Sequence, residues 1–256
     1  MTDAHNHLQD SRFDNPRDQI VIDMLEAGIT RCVVNGTSPD DWPKVAELTE
    51  TYPDLVIPSF GLHPWKKRPD HWQEELLHFL DNIPHACVGE CGLDRWIENH
   101  NITLQKEIFI TQLEIATQRN LPLSIHCLKA WGALIDILES HQLPERGFLI
   151  HSYGGSAELV PRLAKLGAYF SFSGYFLHEK KSNILDVFKV VPPDRLLMET
   201  DAPDMLPPES SITHQLSNDM NHPANLQSIF NQASKLLDTS LIEKNFAQFF
   251  LTGVSC

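Results

Sequence analysis

The chain has 256 residues, 42% hydrophobic and 21% charged, with a formal net charge of −14 at pH 7. These values allow a sizeable core and exclude a disordered chain, and the acidic balance excludes passive capture of long nucleic acid on a basic surface. No apolar run reaches the roughly 18 residues of a membrane span, and the N-terminus lacks the basic and apolar regions of a signal peptide, so a cytoplasmic protein is expected. Five cysteines (Cys32, Cys87, Cys91, Cys127, Cys256) without C-x-x-C spacing read as reduced thiols.

In chain order, the first segment is Met1-Thr-Asp-Ala-His-Asn-His7. Strand alternation would put Asp3, His5 and His7 on one face, where two imidazoles can grip one cation. Ile20, Val21, Met24, Leu25 and Ala27 then recur at helical spacing, with Gly28 as C-cap. Strand Arg31–Asn35, a helix from Ser38 to Tyr52 and strand Leu55–Phe60 follow, the last ending in Gly61-Leu-His-Pro-Trp65. The rhythm continues with a helix over 70–82, strand Ala86–Glu90 and a helix over 102–119. Strand Pro122–His126 leads to a helix over 129–140, and strand Gly147–His151 to one over 156–165. Strand Ala168–Phe172 leads to a helix over 181–189, and Arg195–Glu199 is the eighth strand. The Pro-rich stretch from Ala202 to Pro223 reads as one long loop. Eight strands alternating with helices predict an α/β fold of the TIM-type (β/α)8 barrel kind, with 1–256 as a single domain. No G-x-G-x-x-G follows the first strand, which disfavours a doubly wound sheet.

The polar residues at the strand ends form a set. His5 and His7 leave strand one, His63 follows strand three, and Glu90 ends strand four. His126 ends strand five, His151 ends strand six, and Asp201 follows strand eight. In a barrel these ends converge on the face that carries the active site. Taken singly, His126 or His151 is a hydrogen-bonded rim residue, Glu90 half of an ion pair, and Asp201 a helix cap. Together they exceed what one ion needs and suit two divalent ions about 4 Å apart, with Glu90 as the bridge.

Several stretches resemble the TatD family of metal-dependent deoxyribonucleases: Asp3-Ala-His-Asn-His-Leu8, Gly61-Leu-His-Pro64, Gly89-Glu-Cys-Gly-Leu-Asp94, Ile125-His-Cys127, Ile150-His-Ser-Tyr-Gly-Gly155 and Glu199-Thr-Asp-Ala-Pro203. Asn221-His-Pro-Ala-Asn-Leu226 and Asn245-Phe246 add to the likeness, which spans nearly the whole chain. It implies a metal-dependent hydrolase barrel in which His5, His7, Glu90 and Asp201 hold one ion and Glu90, His126 and His151 the other. The ions implied are magnesium, manganese or zinc, and the substrate a phosphodiester of nucleic acid (DNA) taken at a strand end, as by an exonuclease. The sequence departs from the family at Gln9, Leu128 and Met220, and the last two thin the positive charge available to a phosphate.

On this reading Asp201 and Glu90 are catalytic, Asp201 orienting a water and taking its proton. His63, Lys129 and Tyr153 are substrate contacts, with a Pro-fixed turn residue as the alternative for His63. Asp94 is a supporting carboxylate, and Glu199 points into the barrel or pairs with Arg195. A monomer without membrane association is expected. The rival enzyme is a barrel hydrolase of small phosphoesters, amides or esters. The rival of another class is a barrel that binds a partner without catalysis.

Overall fold

Short runs of β-branched and aromatic residues, buried on both faces, extend as parallel strands covered by helices. A computed structural model describes residues 1–251 and bears this out, leaving Cys256 outside the described residues. The strands are β1 (Thr2–Asn6), β2 (Arg31–Asn35), β3 (Val56–Phe60), β4 (Cys87–Asp94), β5 (Leu123–Leu128), β6 (Phe148–Ile150), β7 (Ala168–Ser173) and β8 (Leu196–Glu199). Each pairs in parallel with the next. The intervening helices are α1 (Arg17–Glu26), α2 (Trp42–Thr51), α3 (Trp72–Asn82), α4 (Ile102–Arg119), α5 (Trp131–Ser140), α6 (Val160–Lys165) and α7 (Ser182–Phe188). Across the remaining seam, the Asp201 N–H donates to the His5 carbonyl (2.9 Å) and the His7 N–H to that of Ala202 (2.8 Å). The result is a TIM-type (β/α)8 barrel.

Two further helices, α8 (Leu226–Ala233) and α9 (Ile242–Phe246), follow the long loop and were not expected from the sequence. The chain continues helically from α9 through Ala247–Leu251, and there Phe246, Phe249 and Phe250 pack against Ala4, Val33, Ile57, Cys87, Leu149, Tyr169 and Leu197. These aromatic rings form an apolar floor under the barrel. Two residues further along β2, β3, β7 and β8, on the same face, lie buried Asn35, Ser59, Ser171 and Glu199, and buried Ser124 stands in β5. Two residues beyond Ser124 and Glu199 come His126 and Asp201, and two beyond Leu149 comes His151. The axis therefore passes from an apolar floor through a polar middle layer to a rim of histidines and carboxylates.

Two strands break strict alternation. Between the pairs Asp3↔Cys32 and Asn6↔Val34, β1 advances three residues while β2 advances two. The same happens in β4 between Val88↔Leu123 and Cys91↔Ile125. An extra residue in one strand reverses which face its side chains take. This corrects the alternation expected for Asp3, His5 and His7, because Asp3 does not join the histidines. Its carboxylate accepts N–H groups of His5 (3.2 Å) and Thr200 (3.0 Å), the Asn6 amide (3.1 Å) and the Thr200 hydroxyl (2.6 Å). Asp3 thus fastens the β1–β8 seam, where burial pushes its carboxyl up to about 7 despite those bonds.

Candidate metal centre

Glu90 reaches the centre because β4 is squeezed between its neighbours. At Gly89 (φ +142°) a Cβ would lie 2.7 Å from the Ser124 Cβ, and at Gly92 (φ +145°) one would lie 2.0 Å from the His126 carbonyl oxygen. Only glycine meets both demands. The Glu90 carboxylate then divides the cluster in two. Its Oε2 lies 3.3 Å from both His5 Nε2 and His7 Nε2, which in turn lie 3.7 and 3.5 Å from Asp201 Oδ1. Its Oε1 lies 3.1 Å from His63 Nε2, 3.1 Å from His126 Nδ1 and 2.8 Å from His151 Nε2. The rings of His5 and His151 stack at 4.0 Å between the two halves.

The far sides of the rings are held by the layer below and by neighbouring loops. His7 Nδ1 donates to the Asn35 carbonyl (2.8 Å), which also receives the Gln9 amide (2.6 Å). His5 Nδ1 pairs with the Ser124 hydroxyl at 3.2 Å. His126 Nε2 donates to Asp94 Oδ2 at 2.8 Å. Such partners leave the opposite nitrogen as the one aimed inward. Glu199, buried below His151, accepts the Ser152 N–H (2.8 Å) and the hydroxyls of Ser152 and Ser171, with His151 Nδ1 at 3.6 Å. It has no pairing with Arg195, whose guanidinium lies over the Tyr169 ring.

Burial would raise the Glu90 carboxyl, but His63, His151 and His126 hold it well below its ordinary range. Burial likewise opposes charge on His7 and His151, yet the carboxylates around them raise both. Burial prevails at His63, lowered to about 4, and at His5. The four described cysteines are buried and free, and burial pushes Cys127 up to about 12.

The donor set fits divalent cations. His5, His7 and Glu90 form one group able to share an ion, and His63, Glu90 and His126 another. His5 Nε2 is moreover buried without a hydrogen-bond partner among the described residues, an expensive orphan unless something else coordinates it. Imidazole with carboxylate suits zinc and manganese.

The structure brings His5, His7, Glu90, His126, His151 and Asp201 together, as the strand ends implied. His63 lies with them, its Nε2 3.1 Å from Glu90 Oε1, and it also lines the cavity that opens on Glu90. Tyr153 is displaced from its expected role. It is fully buried among Trp131 and Phe170, and its hydroxyl donates to the Ser156 carbonyl, because the chain after β6 turns back into the core. Lys129 is exposed and does not line the cavity that opens on Glu90. That cavity, of about 560 Å³, has His7, His63 and Glu90 in its wall, with Arg12, Lys44, Trp65, Lys66 and several aspartates around them. The sequence reading missed these rim residues. Their signal was position, since all but Asp204, which follows β8, lie in segments that follow β1, β2 and β3.

The chain matches the family model described as TatD related DNase over residues 2–250. It is 28% identical over 238 residues to the 3'-5' ssDNA/RNA exonuclease TatD of Rahnella sp., covering 89% of this chain and 87% of the relative. It is also 28% identical to the uncharacterized metal-dependent hydrolase YabD of Bacillus subtilis, covering 95% and 93%. Among solved structures it resembles YJJV, a TatD homologue from Escherichia coli, with TM-score 0.88, 25% identity, and 98% and 97% of the two chains covered. With the barrel and its histidine–carboxylate rim, these matches place the chain in the TatD-related DNase family of metal-dependent hydrolases.

Proposed function

We propose that the enzyme is a two-metal-ion phosphodiesterase that shortens single-stranded nucleic acid from one end. The observation that carries this is the division of the cluster by Glu90, with His5 and His7, themselves beside Asp201, facing Oε2 and with His63, His126 and His151 facing Oε1. One carboxylate serving two imidazole groups is the arrangement a bridged pair of ions requires. On this reading His5, His7, Glu90 and Asp201 hold one ion, and Glu90, His126 and His151 hold the other. When bound, such ions neutralise charge on a phosphoryl group and make nearby water more acidic.

The chain's own groups do the rest. Asp201 faces the cluster from a left-handed backbone position (φ +53°), so Oδ1 can orient the attacking water and accept its proton. Glu90 holds the two halves in register, and Asp94 fixes the tautomer of His126. Lys66 at the cavity rim has no acidic partner among the described residues and can meet a phosphate. A cavity of about 560 Å³ suits a strand end rather than a duplex. The relative's printed activity, 3'-5' on ssDNA and RNA, agrees with that shape.

The test uses metal-stripped protein with 3′-labelled and 5′-labelled single-stranded DNA and RNA, adding magnesium, manganese or zinc in turn. Metal-dependent shortening from one end, lost in Asp201→Asn, is expected. No cleavage by protein that binds two ions overturns the reading. The alternative, hydrolysis of small phosphoesters, draws on Arg12, whose guanidinium is engaged by Asp10 and Asp204 at 2.8 Å each and so is withheld from a long anionic strand.

A further inference from the structure

Trp65 follows Pro64 in the segment after β3 and is 53% exposed, although a large apolar ring normally retreats from water. It is nonetheless held firmly. Its indole Nε1–H donates to Asp94 Oδ2 at 2.8 Å, the oxygen that also receives His126 Nε2–H. Its backbone N–H donates to His63 Nδ1 at 3.1 Å. The ring stands edge-on to His63 and His126, with centroids 5.0 and 5.9 Å away. Both of those histidines touch Glu90 at 3.1 Å. One edge of the indole is thus anchored to the wall of the metal centre, and the exposed ring lines the cavity that opens on Glu90.

The electrostatics of that cavity leave binding to be explained. Arg12 is taken up by Asp10 and Asp204, and Lys44 lies 3.1 Å from Glu47, which leaves Lys66 to face several aspartates in the wall. On a chain of net charge −14, phosphate attraction by the protein itself is weak. Stacking on an aromatic face does not depend on net charge, and every nucleobase has such a face. A residue already held through both its indole N–H and its backbone N–H loses little freedom on binding.

We propose that Trp65 is the stacking platform for the nucleobase adjoining the scissile phosphate. This rests on the nucleic-acid reading above and deepens it. A phosphate seated at the Glu90 cluster leaves its neighbouring base beside the His63 and His126 edges, where the indole face waits. Asp94 then serves both ends of one nucleotide, aligning His126 toward the phosphate and Trp65 toward the base.

Single-stranded oligonucleotides ending in a normal nucleotide are compared with the same strands ending in an abasic residue, using the wild type, Trp65→Ala and Trp65→Phe. The wild type is expected to favour the base-bearing end in kcat/KM by about tenfold or more, through KM. The ratio should collapse toward one in Trp65→Ala and largely return in Trp65→Phe, which keeps a π-face. In parallel, calorimetry with magnesium present compares dAMP with deoxyribose 5-phosphate. The wild type is expected to bind dAMP about tenfold more tightly, and Trp65→Ala to bind the two alike.

Cleavage with an undiminished base preference in Trp65→Ala overturns the platform and leaves the nuclease reading standing. Absent cleavage, with base-dependent binding that Trp65→Ala removes, upholds the platform and overturns the nuclease reading. Neither cleavage nor base-dependent binding overturns both.

Discussion

Asp94 gathers four donors onto one carboxylate. Oδ2 receives His126 Nε2–H and the Trp65 indole, and Oδ1 the N–H groups of Trp96 and Ile97. Burial alone would raise it, but these bonds and the His126 charge hold it down at about 2. A permanently ionised partner fixes the ring with Nδ1 toward Glu90. Asp94→Asn is therefore expected to weaken zinc or manganese binding about 10- to 100-fold, read by calorimetry. Glu199 makes a comparable demand within the barrel, where it is fully buried beneath His151. Glu199→Ala strands the Ser152 N–H and the hydroxyls of Ser152 and Ser171, at a cost of about 3 kcal/mol in urea unfolding. A change below about 1 kcal/mol would mean the serines find other partners.

Among the elements, β4 and β5 are bound most closely at Gly92. Gly92→Ala sets a Cβ against the His126 carbonyl oxygen in a left-handed backbone region, so the strands must part. Thermal unfolding should show a loss of at least about 2 kcal/mol, together with weaker metal binding. Farther along, His222 ties the long loop to α1. Its Nε2 lies 3.2 Å from Asp23 Oδ2, and its Nδ1 accepts the Ala224 N–H at 3.0 Å. Burial and the neighbouring His214 lower it to about 4, against the opposing pull of Asp23. The ring is neutral in the fold, so protons favour the unfolded chain between its unfolded value near 6.5 and its folded value near 4. Stability is full above that window and falls by up to about 3 kcal/mol as pH drops through it. The stability gap between wild type and His222→Asn should narrow over the same window, as read by unfolding at stepped pH. These cases show what the sequence could disclose. Apolar runs revealed the strands, and His or carboxylate at their ends revealed the rim. The additional residues in β1 and β4 follow from pairing register, which one strand's alternation does not contain, and so Asp3 was misplaced. Tyr153 looks like any loop tyrosine until the turn after β6 carries it into the core. The short helices α8 and α9 lie beyond the strand–helix rhythm that organised the reading.

For the whole molecule, the cluster is a concentration of buried charge whose stability depends on cations. Removing metal with a chelator should lower the melting temperature, and adding it at a hundredfold its Kd should restore about 2.7 kcal/mol, or roughly 5–10 °C for a chain of this size. Salt should matter far less than it does for a basic nucleic-acid binder. With so few free cations at the rim, KM for an oligonucleotide should change less than about threefold between 50 and 200 mM salt, where several phosphate contacts would cost about a thousandfold. The aromatic floor also ties together distant parts of the chain. The Thr2 N–H donates to Glu243 Oε1 at 3.0 Å, and Ala4 packs with Phe246, Phe249 and Phe250. The strand that carries His5 and His7 is therefore clasped by a segment 241 residues away in sequence. A fragment cut before α9 keeps every rim residue in its sequence and yet has no floor to set them on. The histidines at the mouth thus depend on phenylalanines at the opposite end of the barrel axis.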